Sequence, residues 1–319
     1  MQRMTNTETI EGRIFQHDLE LKTVQNAQSA NYGKPFIQGN IEVATDEAGL
    51  NVVKTHYTYV SETTKNGGKN GTFANLKKII EEGKTWIADG KENATLVQLS
   101  PSIALNDFYT SDNSGNEQLV SEKRNEGGFV NFATSINEDE SKRTKFITDV
   151  VITGVKHIDA DPEKNIDNDY AIVRGAIFNF RNDILPVEFV VRDAGGMKYF
   201  ENLEAAPSKP VFTQVWGNIV SLTKVVTYSQ ESAFGEDAVR TSKKTTKEYL
   251  ITGARKSPYD FGDEKVLTAE DLTKAQQNRE VYLADVKKRQ DEYKAQKAAN
   301  TPSPAAAAVS TVATGSFNF

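Results

Sequence analysis

One order of elements, three strands, a helix and two strands, runs through this chain twice, and that repeat constrains the fold more than any single motif. In the first pass, TIEGRIFQHDLELKT (9–23), KPFIQGNIEVATDE (34–47) and NVVKTHYTYVSET (51–63) alternate as strands do, and a short connection holding Gly49 joins the last two. GTFANLKKIIEEGK (71–84) then sets Phe73, Leu76, Ile79 and Ile80 on one helical face, with Gly83 as a stop. Strand patterns return over 95–110 and 127–136. The second pass places strands over 145–163, 169–183 and 185–193, and a Gly-Gly turn follows. A short helix over 197–206 offers Tyr199 or Phe200 and Leu203 to the interior, and strands over 209–229 and 245–256 close the unit.

This is the element order of the oligonucleotide/oligosaccharide-binding (OB) barrel, in which the helix between the third and fourth strands plugs one end. Mid-strand Gly12, Gly39, Gly154, Gly175 and Gly217 suit the bulges and coiling of a small barrel. A Greek-key sandwich also uses short strands and internal glycines, and it is the alternative. The expected class is mainly β: two tandem OB-fold-like five-stranded barrels over 8–144 and 145–256, a C-terminal α-helix over 257–298, and a disordered Pro/Ala-rich tail over 299–319. Within that region the long helical pattern runs over 267–298, and Thr268 and Asp271 approximate a capping box at its start. Its apolar stripe (Leu272, Ala275, Tyr282, Val286, Tyr293) is broken by Arg279 and Arg289, too thin for a coiled coil.

A formal net charge of −6 argues against coating nucleic acid by bulk charge, but not against a local basic groove. Residues 65–78 carry four lysines and no acid, and 240–247 are similarly biased; both read as solvated surface. With no cysteine, disulfides, thiolate zinc sites and cysteine nucleophiles are excluded. No apolar run approaches the roughly 18 residues of a membrane span. The N-terminus lacks an apolar core of the secretory kind, so a cytoplasmic location is expected.

Enzyme signatures are weak, and no enzyme activity, cofactor or metal is expected. His17, His56 and His157 are scattered, and DADPEKNIDND (159–169) lacks the regular spacing and glycine of a calcium loop, so it reads as an acidic turn, with a cation site as the alternative. Neither EGGF nor DAGG continues as a phosphate loop, and no nucleophile elbow occurs.

The opening residues resemble the first strands of single-stranded-DNA-binding proteins. Ile10, Gly12, Arg13, Ile14, Asp18, Glu20, Leu21, Lys22 and Thr23 match in order that family's I-x-G-R-I/L…D-x-E-L-(R/K)-x-T strand, and the second half looks like a divergent copy. The resemblance implies a non-enzymatic binder of single-stranded DNA in replication or recombination, of the tandem-barrel phage type, acting in the host cytoplasm and free to form homo-oligomers. The family's acidic tail, which recruits replication or recombination partners, is only partly matched. PSPAAAAVSTVATGSFNF ends in Phe317 and Phe319 but carries no acid. The competing class is a phage structural or assembly protein that uses its β domains for protein contacts; a sugar- or protein-binding barrel is a third.

Binding a single strand requires aromatic faces for bases and cations for phosphates. In NVVKTHYTYV (51–60), Tyr57 and Tyr59 alternate with Lys54 and His56. Burying Lys54 and His56 is costly, which favours facing them outward near Phe36 with the tyrosines inward. The opposite assignment makes Tyr57 and Tyr59 a stacking platform. In the second unit, Arg174, Phe178 and Phe180 are read on one outward face with Arg181 just beyond, opposite Val173, Gly175 and Ile177. Alternatively, those phenylalanines are covered by the other barrel or by the C-terminal helix. Trp216 completes the set of candidate single-stranded-DNA contacts.

Overall fold

The computed structural model describes residues 4–112, 114–161, 163, 166–230, 234, 238–260 and 268–300. Its strands are β1 (Asn6–His17), β2 (Glu20–Thr23), β3 (Pro35–Ala44), β4 (Val52–Ser61), β5 (Leu96–Ser111), β6 (Glu117–Phe132), β7 (Thr144–Ile158), β8 (Tyr170–Phe178), β9 (Ile184–Val191), β10 (Val211–Gln230) and β11 (Ala238–Ala254). Helices α1 (Gly71–Glu82), α2 (Trp86–Asp89), α3 (Ala194–Asn202) and α4 (Ala269–Asn300) complete it. All eleven strands form one sheet, because the start of β1 pairs with β7 from Asn6↔Thr148 to Ile10↔Thr144. Two separate sheets were expected; the seam between the first strands of the two halves makes them continuous.

Within that sheet the pairings close on themselves twice. β1 pairs β3, β3 pairs β4, β4 pairs β6 in parallel, and β5 joins β6 back to β1. In the second half β7, β8, β9, β11 and β10 follow the same cycle, again with one parallel contact, β9 to β11. In the chain α1 lies between β4 and β5, and α3 lies between β9 and β10. Phe73, Leu76 and Ile79 of α1 are buried in the shared core, as Phe200 of α3 is. Asn70 caps α1 by accepting from the Thr72 N–H, and Gly83 ends it by donating to the Ile79 carbonyl. Asp193 caps α3, so the two glycines expected in a turn sit in its first turn instead.

Gly217 shows why a strand interior needs glycine: a Cβ there would lie 1.9 Å from the Leu250 carbonyl oxygen, beside a bulge. The stretch 117–126 was missed as strand because its side chains are largely polar and exposed. Backbone pairing to its neighbours, not an apolar face, makes it part of the sheet.

The chain divides into two compact units, Met1–Asn106 with Glu122–Arg279, and Asp107–Ser121 with Glu280–Phe319. In the smaller unit the Tyr109 N–H donates to Gln290 Oε1 at 2.9 Å, and Lys287 pairs with Glu117. At the start of α4, Thr268 and Asp271 bond reciprocally, forming the expected capping box. The tail from 301 onward lies outside the described residues, and so do the side chains of 240–244.

Candidate functional site

The outer face of β3 and β4 is a ladder of cross-strand pairs. Glu42 lies opposite Lys54 and Asn40 opposite His56, with contacts of 2.7 and 2.9 Å. The Asn40 amide donates to Asp18 Oδ2, so its oxygen accepts from His56, whose Nδ1 carries the proton. Burial, and then the Arg124 guanidinium, push the His56 pKa below the usual imidazole range. At neutral pH this histidine therefore adds no charge.

Tyr57 is fully buried in the core, where burial raises its phenol pKa, so Tyr57 is not a surface contact. Tyr59 breaks the alternation. Ile37 pairs with Val60 but Gly39 pairs with Tyr57, so Thr58 and Tyr59 together oppose Gln38 alone. This bulge turns Tyr59 outward (43% exposed) and Val60 toward the core. Gly39 permits it with a φ of 128°, and a Cβ there would meet the Asp18 carbonyl oxygen at 2.6 Å. Tyr59 then stacks on Phe36 with ring centroids 4.7 Å apart and planes 28° apart.

Two hairpin loops rise at this end of the ladder. One leaves β2 and returns to β3 beside Thr23↔Pro35, carrying Tyr32 and Lys34. The other leaves β4 beside Phe36↔Ser61 and is closed by the Thr63↔Lys69 bridge, with exposed Lys65 and Lys69. The lysine-rich stretch is thus half loop and half α1 surface, and its loop half borders the aromatic stack. On β6, which pairs β4 at His56↔Glu126, Phe129 is 70% exposed. Sequence reasoning missed Phe129, although a phenylalanine following two glycines, both of which take a positive φ, could have marked a break in the strand's alternation.

The second half places its candidates differently. Arg174 is exposed but pairs with Glu188 at 2.7 Å across β8 and β9. Phe178, read from the sequence as outward, is fully buried with Met4, Val151, Ala176, Ile184 and Ala275, and Leu272 packs against them. Its ring is core, because the first turns of α4 cover that end of the strand. Phe180 (74% exposed) and Arg181 lie beyond β8 in a tight turn, and the Arg181 N–H donates to Asn179 Oδ1. Trp216 is 39% exposed and lies over Gly253, where a Cβ would approach its indole nitrogen to 2.3 Å. The structure therefore groups Phe36, Lys54, His56 and Tyr59 on one face and leaves Arg174, Phe180, Arg181 and Trp216 apart from it.

His157 sits among Asp159, Asp169 and Glu201, all exposed, with Glu201 Oε1 at 2.7 Å from Nδ1. The Glu201 hydrogen bond first, and the surrounding carboxylates with it, raise the His157 pKa, so the acidic turn serves as its ion-pair partner.

A family model described as YorF matches residues 5–289. No curated protein matches the chain. Among solved structures, a deletion mutant of the single-stranded DNA binding protein from Thermus aquaticus is similar at 12% identity and a TM-score of 0.44, covering 83% of this chain and 100% of that one. No helix among the described residues is long and apolar enough to cross a membrane.

Proposed function

The chain belongs to the YorF family, and we propose that it is a non-enzymatic binder of single-stranded DNA whose bases stack on the outer face of β3 and β4. The observation that carries this reading is the Phe36–Tyr59 stack, held outward by a bulge and flanked by hairpins with Tyr32, Lys34, Lys65 and Lys69. An outward flat ring accepts any base by stacking, and the lysines supply phosphate contacts. Asp18 and Glu20 border the middle of the ladder, so bases rather than phosphates belong there.

We read each closed circuit as an OB-type barrel. The strand order first–second–third–fifth–fourth, the parallel third and fifth strands and the placement of α1 and α3 support that reading. A role in holding single strands during replication or recombination follows from the resemblance of the opening strand.

The test is a titration with oligo-dT at two salt concentrations, followed by Trp86 and Trp216 fluorescence. Tight, salt-sensitive binding that exceeds duplex binding is expected. Equal affinity for duplex sinks the reading; no affinity for either sinks it and favours an assembly protein.

A further inference from the structure

Past Lys54 the outer face opens into a cleft of about 810 Å³, walled on one side by β4 and β6 and on the other by β10 and β11. Lys54, His56 and Asn40 border both the ladder and the cleft, so one surface runs into the other. The carboxylates in its wall are mostly spoken for: Glu42 pairs with Lys54, and Glu248 with Arg192 at 2.7 Å. Two ammonium groups are not. Lys247 is exposed on β11, and Lys123 is half-buried on β6; among the described residues neither forms an ion pair. Lys123 Nζ donates to the Glu188 carbonyl at 2.7 Å and lies 5.5 Å from the centroid of the Tyr249 ring on the opposite wall. Burial lowers the pKa of this ammonium even against the Glu188 and Glu248 carboxylates, which act to raise it, and an arriving anion would relieve the remaining cost. Glu122 is the one exposed acid in the wall with no ion pair among the described residues. Leu50, half exposed, adds an apolar strip against which sugars can lie.

We propose that this cleft carries the phosphodiester backbone of the bound strand onward from the first circuit to the second, with Lys123 and Lys247 as phosphate contacts. The inference rests on the reading of the outer face and extends it: the two halves form one track, and the second half contributes through its β10–β11 hairpin.

The experiment titrates the full chain with oligo-dT of about 6 nucleotides, within the roughly 4–16 that one such module covers, and of about 20, beyond it. The variants are Lys247→Gln, Lys123→Met and the two together. The wild type should bind the longer strand more tightly. The double variant should lose on the order of tenfold in affinity for it, with a salt slope lower by about 1.4, or about 0.7 per lost phosphate contact. Binding of the short strand should be unchanged. Lys247→Gln alone, on an exposed side chain, should show half the change in slope even if Lys123→Met perturbs folding. Long-strand binding with wild-type affinity and slope overturns the cleft while leaving the outer-face site standing. A wild type that binds neither oligonucleotide overturns both.

Discussion

The two halves share a strand order but not a surface. In the first, a bulge on β4 turns Tyr59 outward onto Phe36 and leaves an aromatic face open. In the second, the matching strands carry an Arg174–Glu188 ion pair, Arg192 stands over Tyr170 at 5.0 Å and bonds Glu248, and Phe178 is sealed under α4. Both faces pair charges across strands, and the first adds an outward ring stack to them. A backbone pattern repeated in a chain thus says little about which copy binds, because binding depends on what the outward positions leave unsatisfied.

The largest expected effect tests whether the second half's phenylalanine is core. Phe178→Ala should cost about 3–5 kcal/mol of stability, seen as a lowered melting temperature, with the affinity of the folded protein for oligo-dT retained. Lost affinity at an unchanged melting temperature would return Phe178 to the binding face and erase the contrast.

Next comes the open face itself. Phe36→Ala with Tyr59→Ala should lose about 1–3 kcal/mol per stacked base while keeping most of the salt slope, since rings and not charges are removed. Normal binding by this variant would place the site elsewhere.

A smaller effect probes the seam the halves share. Glu8 of β1 lies opposite Phe146 of β7 and is 2% exposed, and its carboxylate oxygens have no hydrogen-bond partner among the described residues. The neighbouring Tyr249 hydroxyl donates to Asn125 Oδ1 at 2.7 Å. Burial holds the Glu8 carboxyl well above the usual range. The folded state then keeps a proton that the unfolded chain has lost, so Glu8 makes stability fall as pH rises from the ordinary carboxylate range through its folded pKa. Glu8→Gln should melt like the wild type near about pH 4 and a few degrees above it near about pH 8. A constant difference across pH would show that Glu8 titrates normally and that the seam is wetter than its burial implies.

The smallest effect is a near-absence of one. Arg174→Ala removes an exposed pair, so stability should change by no more than about 1 kcal/mol, and oligo-dT affinity should hold. A large loss of affinity would make the second face a partner of the first.

Local pattern carried much of this molecule. Period-two alternation located most strands to within a few residues, the 3.6-residue period located α1, and Thr268 with Asp271 marked the start of α4. These signals are legible because they depend on neighbours a few positions apart in the chain. The outward direction of Lys54 and His56 was legible for a related reason: burying charge without partners is too costly. What the tertiary structure alone decided involves residues distant in sequence. Tyr59 faces out because β4 holds one residue more than β3 across from it, and a bulge is a property of two strands in register. Phe178 is core because α4, about a hundred residues later, lays Leu272 and Ala275 against it. The eleven strands are one sheet because β1 pairs with β7, a contact that alternation in either strand cannot announce, since backbone hydrogen bonds carry no side-chain signature.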